Sequence, residues 1–318
     1  NNLSLEIKDR EFFVVAGPPG VGKTTLLRVI AGLEKPDEGE VYIGDELVNE
    51  VDPKDRDISM VFENLALYPN KTAFENIAFS LEEHKTPKEE IRKRVMEVAR
   101  MLLMEHLLDR TPATYSGGER QRVALARAII RRPRVYLLDQ PLANLDAKIR
   151  ESMRAELKRL ARELGQTIIF TTHDQLEAMS MGDRIAVLNM GEIQQCSTPG
   201  EVYNHPANRF VANFVGSPAM NFLDCTYEEK DGKVYLVHEA FNYDVTEFRD
   251  LIAKEASGME LTIGIRPIDI RVMDRPTSKN AIEAKVYVTE PLGSRSILTL
   301  QVGKDLVKAI VHAGFEGR

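Results

Sequence analysis

Apolar residues along this chain follow two periods, and the change from one to the other divides it. Up to about residue 216, short apolar runs alternate with helical stripes. Phe12 to Ala16, Val135 to Asp139 and Thr167 to Thr172 read as buried strands. Leu26, Leu27, Val29, Ile30 and Ala31 mark one face of a helix, and Val123 to Ile130 belong to a long amphipathic helix that ends near Pro133. A further helix is expected to open at Thr86-Pro87-Lys88-Glu89, through a capping box with proline in its first turn. Ile91, Val95, Ala99, Leu102 and Leu103 give it one buried stripe. Together with the apolar stretch Ala73 to Leu81, this predicts a helical subdomain over about residues 66–132. Arg184 to Gln194 reads as a hairpin turning at Met190-Gly191, followed by helical segments around Glu201 to Tyr203 and Phe210 to Phe214.

Past Gly216-Ser217-Pro218-Ala219 the period shortens to β-rich runs broken by turn residues: Phe222 to Tyr227, Val234 to His238, Leu261 to Ile265, Ala284 to Val288 and Ile297 to Val302, with Asp231-Gly232 between the first two. The expected architecture is an α/β domain over 1–216 and an all-β domain over 217–318, a small barrel of the oligonucleotide/oligosaccharide-binding (OB) type. Val307 to Arg318 stops in what reads as mid-barrel, and the residues before Gly17 read as strand from Leu3 onward. Both ends suggest a chain trimmed to its ordered part.

Composition narrows the class. The 318 residues suffice for two or three domains, and 43% hydrophobic and 29% charged residues with a net charge of -7 describe an ordinary soluble protein with no nucleic-acid surface. Cys196 and Cys225 are too few for a disulfide framework or a zinc cluster, which points to a reducing compartment. No apolar run approaches the roughly 20 residues that cross a bilayer, and no signal peptide opens the chain, so membrane association is expected to pass through a partner.

The most specific chemistry lies in Gly17-Pro18-Pro19-Gly20-Val21-Gly22-Lys23-Thr24-Thr25, which fits G-x-x-x-x-G-K-[ST] between a strand and a helix. Glycines let backbone N–H groups close around nucleotide phosphates, Lys23 neutralises the β/γ oxygens, and the Thr24 hydroxyl can ligate Mg²⁺. Tyr115-Ser116-Gly117-Gly118-Glu119-Arg120-Gln121-Arg122 reads either as an ordinary capped helix, with Ser116 and Glu119 in capping-box spacing, or as a second anion site. Asp139 closes a buried strand, the arrangement that holds Mg²⁺ opposite a P-loop. Asn144-Leu145-Asp146 follows, and His173 closes the strand Thr167 to Thr172 within Thr171-Thr172-His173-Asp174.

This series of motifs, in this order, resembles the nucleotide-binding subunit of an ATP-binding cassette (ABC) transporter. The resemblance implies a RecA-like P-loop NTPase core in which two copies pack head to tail. Ser116, Gly117 and Gly118, with Gln121 beside them, would then close over the γ-phosphate held by the other subunit's P-loop, and Asp146 would link the two sites. Thr24 and Asp139 would hold Mg²⁺ and His173 would contact the γ-phosphate of ATP. The resemblance also implies a homodimer or a heterodimer with another ABC ATPase, on the cytoplasmic face of the membrane. Its partners would be two transmembrane permease subunits and, indirectly, an extracytoplasmic solute-binding protein. Phe62, Leu67, Tyr68 and Phe79 either face the permease or belong to the core. No long coiled-coil insertion separates Lys23 from Ser116, unlike the DNA-repair relatives, which argues for transport. Gly216 to Phe222 and Gly264-Ile265-Arg266-Pro267 resemble the carbohydrate-importer branch, such as the maltose and glycerol-phosphate systems, where the second domain dimerises and receives regulators.

Two positions depart from that family. Gln140 stands where it usually has the glutamate that polarises the attacking water, and Glu63 where it usually has glutamine. A glutamine cannot accept a proton at neutral pH. Three accounts remain open: an engineered block, a naturally degenerate subunit working as an ATP-dependent clamp beside an active partner, or a transfer of the carboxylate's work to Glu63 as metal ligand or water-orienting group. Pro19 and Ala143 are smaller departures, each replacing the usual serine. No adenine-stacking residue can be named.

Overall fold

β1 (Phe12–Ala16) is buried at every position because it runs through the middle of a sheet. On one side it pairs in parallel with β6 (Thr167–Thr172), on the other with β7 (Arg184–Asn189). A parallel strand covered on both faces has no use for polar alternation, hence the unbroken apolar runs. This computed structural model describes residues 2–275 and 280–314. The chain forms two compact units, 1–211 and 212–318, and passes from one to the next within α8 (Arg209–Phe214).

In the first unit the sheet order is β4-β5-β6-β1-β7-β8, with β4 (Ile58–Val61), β5 (Val135–Asp139) and β8 (Glu192–Ser197). Only β8 is antiparallel to its neighbour. It turns back through Met190 and Gly191, both at positive φ (50° and 79°), the backbone of a two-residue hairpin loop. A separate short ribbon pairs β2 (Tyr42–Ile43) with β3 (Glu46–Leu47). The helices are α1 (Lys23–Ala31), α2 (Ala73–Glu83), α3 (Lys88–Met101), α4 (Gly117–Ile129), α5 (Ala147–Leu164), α6 (Gln175–Met181) and α7 (Pro199–Asn204). Register sets Ala16 beside Thr172 and Asp139 beside Thr171, so the residues that follow β1, β5 and β6 emerge along one carboxyl edge. That is where open α/β sheets bind ligands.

Local readings are corrected at three places. Residues 3–7 form no strand; Leu3, Leu5 and Ile7 still pack alternately against the core around Phe13 and Val15. Alternation predicted their burial but could not supply a ladder partner. Thr86 does not cap α3 and Pro87 stands at the N-cap rather than in the first turn, because its ψ of 140° holds it extended, outside the helix. Leu103 is 66% exposed while Val98 is buried, since α3 ends at Met101 and the chain turns at Leu103 with φ 52°. α4 starts at Gly117 with Ser116 as its cap, where the capping-box spacing sets it. α2 carries a capping box of its own, Thr72 with Glu75.

In the second unit β9 (Asn221–Lys230), β10 (Lys233–His238), β11 (Phe241–Asp244) and β12 (Glu260–Ile265) form an antiparallel sheet in the order β11-β10-β9-β12. β13 (Lys285–Pro291), β14 (Arg295–Val302) and β15 (Asp305–His312) form a second. Leu223, Cys225, Val234 and Leu236 of one sheet share a core with Val302 and Val307 of the other. Asp231 and Gly232 make the β9–β10 turn at φ 52° and 73°. Arg266 is buried and donates to the carbonyls of Ala212 and Val215. β11, β15 and α9 (Arg249–Glu255) have no counterpart among the elements read from the sequence. Of the stretch Val307 to Arg318, β15 takes up Val307 to His312, and residues 315–318 lie outside the described residues.

Candidate nucleotide-binding site

The loop after β1 is shaped by glycine for two different reasons. At Gly17 the reason is room: its N–H donates to Thr172 O at 3.2 Å, and a Cβ there would lie 2.2 Å from Leu188 O. At Gly20 and Gly22 the reason is backbone, since both take the left-handed region (φ 78° and 103°) with open space around them. Gly22 caps α1 with no side-chain bond, and no acidic residue stands in the first turn. The first N–H groups of α1 thus face an anion seat reinforced by the helix dipole. Pro18 is half-buried, Pro19 and Thr25 are exposed, and buried Val21 accepts from Gly191 N at 3.1 Å, which ties the loop to the β7–β8 turn.

Lys23 is buried, with Nζ donating to Gly17 O at 2.8 Å and Pro18 O at 2.7 Å. Burial lowers its pKa, and the carboxylates of Asp139 and Glu63 work against that shift. Thr24 Oγ1 donates to Asp139 Oδ1 at 3.1 Å, and buried Thr171 donates to the same oxygen at 2.8 Å. Gln140 N in turn donates to Thr171 Oγ1 at 3.0 Å. Thr171 thus aims the acid and anchors the residue after it, a role the sequence reading missed. Among the described residues no group of three His, Cys, Asp or Glu side chains gathers to hold a metal by itself. One hydroxyl and one carboxylate at a phosphate seat fit Mg²⁺, which keeps waters and takes further oxygens from substrate phosphates.

Gln140 turns off β5 at φ 43° and bridges two neighbours. His173 Nδ1 lies 2.8 Å from Gln140 Oε1, and Gln140 Nε2 donates to Glu63 Oε2 over a long 3.5 Å. Both His173 and Glu63 are exposed. Behind them Asp174 caps α6, accepting from Leu176 N and Glu177 N at 2.7 and 3.2 Å. Thr172 Oγ1 donates to Glu177 Oε2 at 2.6 Å, and burial pushes the Glu177 carboxyl above its ordinary range. The Arg150 guanidinium sits 3.6 Å from Asp174 and 3.9 Å from Glu177 while donating to Leu145 O at 3.0 Å, joining the segment before Asp146 to the one after His173. Sequence reasoning also missed Arg150 and Glu177; the one available signal was that Arg150 stands one helical turn after Asp146.

Ser116 caps α4 in a full capping box with Glu119. Cβ atoms at Gly117 and Gly118 would meet Leu145 at 3.3 Å and Ile149 at 2.8 Å, so both glycines allow close packing on the Asp146 segment. Asp146 itself caps α5 through Ile149 N at 3.0 Å, and Gln121 is buried with its Nε2 unpartnered. Two groups therefore form within one chain: Lys23, Thr24, Asp139, Gln140, His173 and Glu63 in one, Ser116, Gly117, Gly118 and Asp146 in the other. Apart from both, Phe62, Phe79, Arg127 and Arg131 line a groove of about 330 Å³. Tyr68 packs on Phe79 with ring centroids 4.7 Å apart, and Leu67 is half-buried. Fully buried Asn76 fixes the Tyr68 backbone, accepting from its N–H at 2.9 Å and donating to its carbonyl at 3.1 Å. Among the described residues no helix is long and apolar enough to cross a membrane.

Comparison with known proteins identifies the family. Residues 1–143 match the family model described as ABC transporter, and residues 216–270 match the MalK OB fold domain. The trehalose/maltose import ATP-binding protein MalK of Thermococcus litoralis is 52% identical over 311 residues, 95% of this chain and 83% of that protein. The sn-glycerol-3-phosphate import ATP-binding protein UgpC of Yersinia pseudotuberculosis is 44% identical, covering 98% of this chain and 85% of its own. Among solved structures, a dimeric ATP-binding cassette in a post-hydrolysis state with ADP and Pi superposes with a TM-score of 0.56 at 38% identity, over 61% of this chain and 88% of that one.

Proposed function

The chain belongs to the ABC transporter ATPases that carry a MalK OB fold, and on that premise we propose that it is the ATP-hydrolysing motor subunit of a sugar importer. The observation that carries the reading is the Thr24–Asp139–Thr171 set, which joins the P-loop to the acid at the end of β5. The α1 N-terminus and Lys23 bind the phosphates, and Thr24 and Asp139 would hold Mg²⁺, with Glu63 beside them. That ion would supply positive charge against the phosphates. His173 contacts the γ-phosphate, Gln140 orients the attacking water, and Glu63 supplies the carboxylate that Gln140 lacks. The reading of an ATP-dependent clamp without turnover gains no support over this one.

Head-to-tail pairing with a second copy or a related ATPase brings Ser116, Gly117, Gly118, Gln121 and Asp146 to the other subunit's nucleotide. That pairing is in keeping with the dimeric cassette noted above. We read residues 1–216 as the nucleotide-binding domain and 217–318 as the regulatory and dimerisation domain. Two permease subunits dock at the groove beside Phe62 and Phe79 on the cytoplasmic face of the membrane, serving a solute-binding protein on the other side. Steady-state phosphate release by the purified chain with Mg-ATP tests the core of this reading. Wild type should turn over and Lys23→Ala should not; equal rates in both would remove the site from the P-loop.

A further inference from the structure

Two consecutive residues of the loop that carries Glu63 hold a backbone shape that L-residues rarely take: Leu65 at φ 59° and Ala66 at φ 42°. Such positions are strained and persist where their surroundings impose them. Within the loop, Leu65 N donates to Phe62 O at 2.9 Å and Ala66 N to Asn64 O at 2.7 Å, closing tight turns around Glu63. The outward carbonyls of the two strained residues are both taken by one side chain. Arg127 donates from Nη1 to Ala66 O at 2.7 Å and from Nη2 to Leu65 O at 2.9 Å. Its guanidinium also lies over the Tyr68 ring, 5.6 Å from the centroid. Arg127 belongs to the last turn of α4, the helix whose first turn is Gly117 and Gly118.

We propose that Arg127 is a positioning residue: it braces the strained Leu65–Ala66 backbone and thereby fixes Glu63 at the γ-phosphate, in register with the helix that carries Ser116, Gly117 and Gly118. The inference rests on the reading of Glu63 as a working group of the site. A planar fork of donors can hold two adjacent carbonyls at once, which a single ammonium cannot do in the same geometry. The brace therefore predicts that lysine, although cationic and of similar length, fails to replace arginine. It also predicts that glycine at position 66, which takes positive φ without penalty, makes the brace partly dispensable.

The test uses the full chain as wild type, Arg127→Lys, Ala66→Gly and the double variant. Phosphate release, Mg-ATP affinity, thermal midpoint and amide exchange of residues 64–68 are each measured. Arg127→Lys should lower kcat about 10- to 100-fold, the scale of a displaced catalytic group, with Mg-ATP affinity within about twofold of wild type. Exchange at 64–68 should rise by at least about tenfold, and the double variant should regain much of the lost kcat. Wild-type kcat and exchange in Arg127→Lys overturn the proposal. So does a loss that follows the thermal midpoint and is not relieved by Ala66→Gly, because that is an ordinary packing defect. If wild type itself releases no phosphate, the motor reading fails separately, and the exchange of 64–68 still decides for or against the brace.

Discussion

The Gln140 carboxamide stands between His173 and Glu63: its oxygen is 2.8 Å from His173 Nδ1 and its nitrogen 3.5 Å from Glu63 Oε2. An amide can serve both neighbours at once, as acceptor toward a ring N–H and donor toward a carboxylate. Glu63 is the carboxylate of the trio, exposed and, like Asp139, close enough to the P-loop lysine to favour its charged form. A glutamine at position 63 could not accept a proton.

Glu63→Gln should therefore lower phosphate release by about 10²–10⁴-fold, the usual range for losing a general base. Exchanging the two residues, Glu63→Gln with Gln140→Glu, should restore turnover by moving the carboxylate to the strand end. Steady-state kinetics on both variants checks this. A Glu63→Gln enzyme as fast as wild type would end the assignment.

Alanine at two glycines of the P-loop should separate room from backbone shape. Gly17→Ala drives a Cβ against Leu188 O and should cost more than about 3 kcal/mol, beyond the usual overpacking range because the obstacle is backbone. Gly20→Ala meets open space and should cost only about 1–2 kcal/mol for its positive φ. Urea denaturation of the two variants ranks them. Equal losses would contradict the distinction.

Glu177 should impose a pH dependence on stability. Burial raises its carboxyl pKa above 4.5, so between 4.5 and the raised value the folded state binds more protons than the unfolded one. Its favourable contribution is full below 4.5 and is lost as pH rises through the folded pKa. In Glu177→Gln the amide oxygen still accepts from Thr172, and this slope should vanish. Denaturation midpoints of both proteins from about pH 4 to about pH 8 give the difference, and a difference independent of pH would refute the shift.

Much of this protein follows from its amino-acid order alone. The strand–loop–helix at Phe12 to Ala31, the Ser116–Glu119 capping box, the strands at 135–139 and 167–172, and the hairpin at Met190–Gly191 all appear where the local pattern sets them. Their physical causes act within a few residues: side-chain period, cap chemistry, glycine's access to positive φ. Other features were decided only by packing. The bond from Gln140 to Glu63 spans 77 positions, and those from Arg127 to Ala66 and Leu65 span 61 and 62. The ion pairs of Arg150 with Asp174 and Glu177 join two separate helices. No local period encodes such pairs, because they depend on which strands become neighbours and at what register. By itself the sequence determined that a phosphate cradle, an acid-ended strand and a histidine-ended strand exist, and in what order. Tertiary structure decided that Thr171 aims the acid, that Gln140 stands between His173 and Glu63, and that Arg127 donates to the backbone of the loop that carries Glu63. Parallel pairing of β1, β5 and β6 brings their carboxyl ends to one edge, and only there do these side chains come within hydrogen-bonding reach.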